Sequence, residues 1–329
     1  MAFSNTYDTT NPGSGVSNRE DLTDILTILA PEETPVLSSA PKSKATATFV
    51  EWTVDSLAAP VTTGVAEGAD VPANGFTDKF SGRARLGNYV QKFRRDFMVS
   101  DLQDAVESVG PAKIAEAEAK SARELKRDVE ATLCSANDRT AENGAGVVYG
   151  LRGLGGWIDS AGPTDVPAAY RTPADSIHSS GSLTESGFND LITSIYRVTG
   201  STNNLTLVAD TALRRVIADY ARTSGSTNAV YRQVTQTADS KTIKLSVEMY
   251  ESDHGMVSIV NMNPDCAPDT SNKDTGYLIN PDYYGVSELI GLGSTRLPNQ
   301  GGGERGYVDT TLSLLVKHPG AHGKITAIA

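Results

Sequence analysis

The chain has 329 residues, with 40 acidic against 29 basic side chains and a net charge of −11. A single hydrophobic core stops growing below that length, so two lobes are expected. Phosphate recognition needs clustered Lys and Arg, and the overall balance argues against a DNA reader. Hydrophobic content of 39 % fits a folded globular protein. No apolar run is long enough to cross a bilayer, and the first residues lack the basic and apolar regions of a signal peptide. The two cysteines, Cys134 and Cys266, stand far apart and make no disulfide framework, which suits synthesis in a reducing cytoplasm.

Residues 1–16 are rich in Ser, Thr, Asn and Gly and read as a flexible arm. Ser17 followed by Glu20 has capping-box spacing, and Leu22, Ile25, Leu26 and Leu29 give the short helix after it an apolar face. From Ala45 the period changes to two. Ala45, Ala47, Phe49, Trp52 and Val54 predict a strand, bulged near Val50. The segment after it carries Pro60, Gly64, Gly68, Pro72 and Gly75, with too few large apolar groups to fold back on itself. A return strand follows through Phe80, Ala84 and Leu86, so the whole reads as a long hairpin.

Charge divides between the arms of that hairpin. The outgoing arm holds Glu51, Asp55, Glu67, Asp70 and Asp78 with no base, whereas the return holds Lys79, Arg83, Arg85, Lys92, Arg94 and Arg95 with no acid. Such arms can pair internally, pair with the opposite arm of a neighbouring copy, or stay solvated. Phe93 and Phe97 at period two mark the last basic run as a half-buried strand.

Ser100 and Gln103 open a short helix expected to turn Leu102, Val106 and Val109 inward. Pro111, at a position where a helix tolerates proline, then begins the longest periodic stretch, 111–137. Its stripe is Ala122, Leu125, Val129, Leu133 and Ala136, and Glu116 precedes Lys120 by four, a favourable order. At 1.5 Å per residue it spans roughly 40 Å and reads either as a spar lying across a subunit, its charged face (Glu130 included) toward solvent or neighbours, or as an ordinary long surface helix.

A second lobe is expected beyond the glycine-rich run Asn143–Gly156. Thr184 caps a helix with Phe188, Leu191, Ile192, Ile195 and Tyr196 buried, Leu205, Leu207 and Ala209 form a strand, and Asp210 caps a helix burying Leu213, Val216, Ile217 and Tyr220. Ile243, Leu245, Val247 and Met249 alternate as a strand, Asp253-His254-Gly255 turns, and Val257 with Ile259 returns. Tyr277-Leu278-Ile279 ends at a proline turn, and Leu312, Leu314, Val316 and Ile325, Ile328 suggest a pair of closing strands. Helices and strands mix without regular alternation, so the fold class is α+β.

No constellation supports an enzyme, a cofactor or a metal. His318 and His322 stand four apart but Pro319, Gly320 and Gly323 break the helix that would aim both at one ion. His254 beside Asp253 has no nucleophile-elbow Ser or Cys to serve. Gly153-Leu154-Gly155-Gly156-Trp157 lacks the strand and capped helix of a dinucleotide loop, and Gly301-Gly302-Gly303-Glu304-Arg305-Gly306 lacks the Lys-Ser or Lys-Thr of a phosphate loop.

The order of parts, together with Asn18 to Asp24, Glu33-Thr34-Pro35, Glu51-Trp52, Glu124 to Glu130, Gly153 to Trp157, Tyr250 to Gly255 and Thr311-Leu312 leading to Ala321-His322-Gly323, resembles the major capsid proteins of tailed bacteriophages with the Hong Kong 97-type fold. The resemblance implies an N-terminal arm and short helix over 1–44, an extended loop over 45–99, a peripheral domain from 100–145 and 285–318 built on the spine helix, and an axial domain from 146–284 and 319–329. It implies a shell subunit that self-assembles into hexamers and pentamers of an icosahedral head, located in the virion after assembly in host cytoplasm. Implied partners are further copies of the chain, portal, scaffold and decoration proteins, and packaged double-stranded DNA held without sequence-specific binding; no membrane is involved. Glu51, Asp55, Glu67, Asp70, Lys79, Arg83, Arg85, Lys92, Arg94 and Arg95 are the candidate intersubunit contacts. The covalent crosslink of the fold's namesake needs a Lys, an Asn and a Glu in register, for which Lys79 is the one candidate. The rival readings are an encapsulin-like nanocompartment shell, a hydrolase with an unrecognised site, and a β-rich tail or carbohydrate-binding module.

Overall fold

The computed structural model describes residues 33–70, 78–80, 82–106, 113–202, 204–222, 248–268, 274–326 and 328. The expected arm over 1–16, the helix after Ser17, Val109, Pro111 and the strand residues Ile243, Leu245 and Val247 lie outside that range. The described chain enters through helix α1 (Pro35–Ser39), whose proline occupies the first turn, and strand β1 (Lys42–Lys44). Strand β2 (Phe49–Val54) pairs antiparallel with β3 (Ala84–Tyr89) in unbroken register from Phe49 opposite Tyr89 to Val54 opposite Ala84. The bulge expected near Val50 is therefore absent. The strand also begins later than expected, because the Ala45 N–H is committed to the Glu288 carbonyl at the end of β1.

Strand β4 (Gln91–Val99) buries Phe93 and Phe97 and exposes Lys92, Arg94 and Asp96, the alternation its sequence predicts. Ser100 caps α2 (Asp101–Ala105) through the Gln103 N–H at 3.2 Å. Leu102 and Val106 do not turn inward: they are 81 % and 59 % exposed, because no described element covers this single helical turn at the edge.

The spine α3 spans Lys113–Cys134, and its apolar stripe Leu125, Val129 and Leu133 is buried. It stops short of residue 137, leaving Ala136 exposed outside the helix. The reason lies in the glycine motif, which forms the single turn α4 (Leu154–Trp157). The released carbonyls of Ser135 and Asn137 accept the Gly155 and Gly153 N–H groups. A Cβ at Gly153 would lie 2.2 Å from the Ser135 carbonyl oxygen, so these glycines permit close backbone approach at the spine's end and cradle no phosphate. Glu116 and Lys120 form no ion pair in the helix. Glu130, expected on a solvated face, is fully buried: its carboxylate accepts the Val36 and Leu37 N–H groups at 2.9 and 2.8 Å and supplies the cap that Thr34 does not. Burial pushes the Glu130 carboxyl above its ordinary range, and the two hydrogen bonds offset only part of that.

Beyond the glycine motif the chain forms β5 (Ile177–His178), α5 (Glu185–Thr199), β6 (Leu205–Ala209), α6 (Thr211–Arg222), β7 (Met249–Ser252), β8 (Gly255–Asn261) and β9 (Gly276–Ile279). Thr184 caps α5 through the Gly187 N–H, and Gly200, in the left-handed conformation at φ +71°, closes it. Phe188, Leu191, Ile192 and Ile195 are buried as expected. Tyr196 is 40 % exposed instead and stacks on His254, ring centroids 4.7 Å apart. The chain then runs through β10 (Tyr284–Leu297), β11 (Glu304–Val316) and β12 (Gly323–Ile325).

Two larger sheets result among the described residues, one ordered β1-β10-β11-β4 beneath the spine and one ordered β5-β12-β9-β6-β8-β7. Strand β4, read within the 45–99 loop, pairs over its length with β11 and edges the first sheet. The closing strands are not a pair: β11 joins β10 and β4, while β12 joins β9 and β5, since the 3-10 turn Pro319–Ala321 carries the chain from one sheet to the other.

His322 follows that turn. It is fully buried, its Nδ1 accepts the Asn280 N–H at 3.2 Å, and burial lowers its pKa to about 4. The unfolded chain takes up this proton near pH 6.5 and the folded chain does not, so stability falls as pH drops from 6.5 toward 4. His322→Gln is expected to recover roughly 3 kcal/mol of that loss, seen as a flatter pH dependence of the urea midpoint between pH 7 and 4. An unchanged slope would sink the assignment.

Candidate subunit-contact surfaces

Beyond Val54 the outgoing arm leaves the body. Every described residue from Asp55 to Asp70 is exposed and none belongs to a helix or strand. Leu57, Val61 and Val65 are 99, 82 and 86 % exposed, close to the exposure of an unfolded chain. Among the described residues of the subunit, nothing covers these three apolar side chains, which stand four residues apart.

The root of the arm, by contrast, is fixed. Asn88 of β3 is fully buried. Its Nδ2 donates to the carbonyls of Arg152 and Leu314 at 3.1 and 3.0 Å, and its Oδ1 accepts the Arg152 N–H at 2.8 Å. Arg152, 1 % exposed, donates to Asp138 at 2.6 Å and to Asp165 at 2.7 and 3.2 Å, and its guanidinium lies 4.7 Å from the Trp157 ring centroid. Burial raises the Asp165 carboxyl, but the hydrogen bonds and charge of Arg152 and the charge of Arg139 outweigh that and hold it below the usual range. A buried cation is tolerable only when paired on this scale. Trp52 of β2 packs on Trp157 with centroids 5.6 Å apart, and Arg139 donates to the Gly87 carbonyl. Hairpin, spine terminus and closing strand thus meet at one polar knot.

The candidate contacts divide into two groups. Asp55 pairs with Arg83 at 2.8 Å, which holds the Asp55 carboxyl below its ordinary value, and Glu51 reaches Arg85 at 3.6 Å across the β2–β3 ladder. Lys92 pairs with Asp309 of β11, Arg94 with Asp96 along its own strand, and Arg95 bidentately with Asp128 of the spine at 2.5 and 2.7 Å. Glu67, Asp70 and Lys79 make no ion pair with another described residue. Exposed pairs of this kind contribute little to stability.

Sequence reasoning missed a third surface. The sheet face turned away from the spine carries a shallow groove of about 400 Å³ lined by Met98, Leu297 and Tyr307 and flanked by Arg94 and Arg305. Met98 and Leu297 are 62 and 42 % exposed. The alternation of Met98 against Phe97 was the one available signal. Arg94 lies 5.9 Å from the Tyr307 ring, a cation beside an aromatic face. Among the described residues no group of three His, Cys, Asp or Glu is placed to hold a metal ion, and His254 bonds Thr193 Oγ1 at 3.1 Å.

The fold is that of phage capsid subunits. The capsid of a native GTA particle aligns with a TM-score of 0.62 at 15 % identity over 100 % of both chains. The cyanophage A-1(L) capsid aligns at 0.60 and 14 % identity, covering 97 % of this chain and 99 % of that one, and the cyanophage P-SCSP1u capsid at 0.59 and 12 %, covering 95 and 93 %. No curated protein matches in sequence. The SU10 major capsid protein profile matches residues 3–329, and the chain belongs to that family. It is a structural protein of a phage capsid, assembled with further copies of itself in the virion shell.

Asn88→Ala strands the Arg152 N–H and two buried carbonyls. It is expected to cost about 2–4 kcal/mol of unfolding free energy in urea titrations. A cost under about 0.5 kcal/mol, the level of an ordinary surface change, would show that the knot does not hold the arm's root.

Proposed function

We propose that this subunit forms hexamers and pentamers of an icosahedral head enclosing double-stranded DNA, with the arm of each copy laid across its neighbour. The observation that carries this reading is the near-complete exposure of Leu57, Val61 and Val65. Burial of each contributes about 1.5–3 kcal/mol, which the described residues of the subunit do not supply and a neighbouring copy would. The neighbour's Met98–Leu297–Tyr307 groove is the apolar seat for them; its flanking Arg305 complements Glu67 and Asp70, Arg94 there being paired with Asp96, and Lys79 on the return arm is a further contact. Glu51, Asp55, Arg83, Arg85, Lys92 and Arg95, already paired within the subunit, shape the arm and the groove wall and act between subunits only through their exposed edges.

The role is structural: the buried polar groups Glu130, Asn88 and Arg152 join elements of the fold to one another. Assembly in host cytoplasm is consistent with Cys134 and Cys266 being free thiols. Portal, scaffold and decoration proteins complete the proposed set of partners.

The triple variant Leu57→Ser, Val61→Ser, Val65→Ser is expected to keep the parent's circular dichroism and urea midpoint while losing shells and capsomers in sedimentation and negative-stain microscopy. Normal particles from this variant would overturn the arm assignment. A parent chain that stays monomeric at high concentration would overturn the shell reading itself.

A further inference from the structure

Strand β10 outruns its neighbour in the sheet. Strand β1 pairs with it only at Val286, Ser287 and Glu288, and beyond the bond from the Ala45 N–H to the Glu288 carbonyl no described strand lies along its outer edge. Every residue over 290–297 is exposed. Register shifts interrupt the ladder to β11 between Glu288 and Gly293, but 293–297 runs opposite 305–309 without a break. Sheet edges are ordinarily blunted by prolines, charges or bulges. Within 293–297 there is no proline and no bulge, and the single charge, Arg296, turns to Glu118 of the spine at 3.5 Å. The outward N–H and carbonyl groups of this stretch are a template for another strand.

The arm has the complementary need. No backbone N–H or carbonyl over 57–65 bonds to another described residue. Yet apolar and β-branched side chains stand there at alternate positions, Leu57, Ala59, Val61, Thr63 and Val65, which is the period of a strand. Pro60, with no N–H to give, precedes 61–65, and a turn closed by the Ala69 N–H on the Ala66 carbonyl, with Gly68 at φ +76°, follows it. A strand bounded in that way has the same length as the unbroken stretch 293–297. Ser294 and Arg296 turn to Glu118, so Gly293, Thr295 and Leu297 lie on the groove side, where Leu297 stands beside Met98 and Tyr307. A strand added in the matching register sets Val61, Thr63 and Val65 on that side and extends the groove's apolar wall. A second copy's β10 could occupy the same edge, but that pairing leaves Leu57, Val61 and Val65 of both arms uncovered.

We propose that residues 61–65 of a neighbouring copy add to the outer edge of β10 as a strand, bonded main chain to main chain with 293–297. The inference rests on the reading in which each arm lies across the next subunit. It adds that backbone pairing, and not side-chain burial alone, fixes the arm's register, with the groove deciding which face of the arm turns inward.

The test follows amide hydrogen exchange by mass spectrometry in the full chain, before and after assembly. The amides of 61–65 and 293–297 are expected to slow together by roughly tenfold or more in assembled particles. The variant Thr62→Pro, Thr63→Pro removes two arm N–H groups that bond no described residue and keeps Leu57, Val61 and Val65. It is expected to retain the parent's circular dichroism and lose particles. Thr62→Ala, Thr63→Ala keeps those N–H groups and is expected to assemble. Particles from the proline variant at the parent's yield would overturn the strand, as would loss of particles in the alanine variant, which would place the contact in the threonine side chains. Slowing at 293–297 alone would also overturn it, giving the edge to a second β10 or another segment. Parent particles whose 61–65 amides exchange at the unassembled rate would end the strand and leave the groove contact standing. If the parent forms no particles, the shell reading falls first and the strand with it.

Discussion

The structure depends on a paired charge buried at the root of the arm. Arg152 is held by two carboxylates and an indole face, and the backbone on either side of its side chain is clamped by Asn88. Those partners come from β3, the segment after the spine and the loop near Asp165, so one residue ties three distant stretches together. A buried guanidinium tolerates few alternative arrangements, because moving any partner strands charge in a poorly solvating interior. That intolerance fixes the direction in which the β2–β3 ladder leaves the body.

Glu130 applies the same device at the opposite side of the spine. Its carboxylate holds the N-terminus of α1, and α1 in turn positions β1 against β10 through the Pro41 carbonyl and the Ser39–Tyr284 hydroxyl contact. The spine thus acts on three faces. One buries Leu125, Val129 and Leu133 against the sheet, one fixes the entering chain, and one stays in solvent. A shell subunit needs this contrast of stiffness: rigid roots, so that contacts repeat with one geometry, and arms that gain burial only from neighbours.

How legible this was depended on whether a feature repeats locally. Helix α5, its Thr184 cap and the Gly200 stop were readable because capping and periodicity act over a few residues, and the alternation of Phe93 and Phe97 marked β4 for the same reason. Failures came where a distant element intervened. Leu102 and Val106 looked like core residues and lie exposed, since amphipathicity states that a residue is apolar and not that anything covers it. Glu130 looked like surface and is buried, since the backbone donors it serves belong to a helix about 90 residues earlier. Tyr196 satisfied the helical stripe, but its ring is taken by His254 from the β7–β8 turn.

From the residues alone follow the α+β class, the long spine, the hairpin with segregated charge and, through recurring phrases spread over the chain, the capsid resemblance; each is written in spacing, turn chemistry or wording that needs no contact partner. Folding in three dimensions decided which arm charges neutralise each other within the subunit, why Gly153 and Gly155 must be glycine, where the chain crosses between sheets, and which of the spine's acids is buried. These outcomes arise from long-range proximity, in which a carboxylate's role is set by the cation or N–H brought beside it, and a linear order of residues does not specify that proximity.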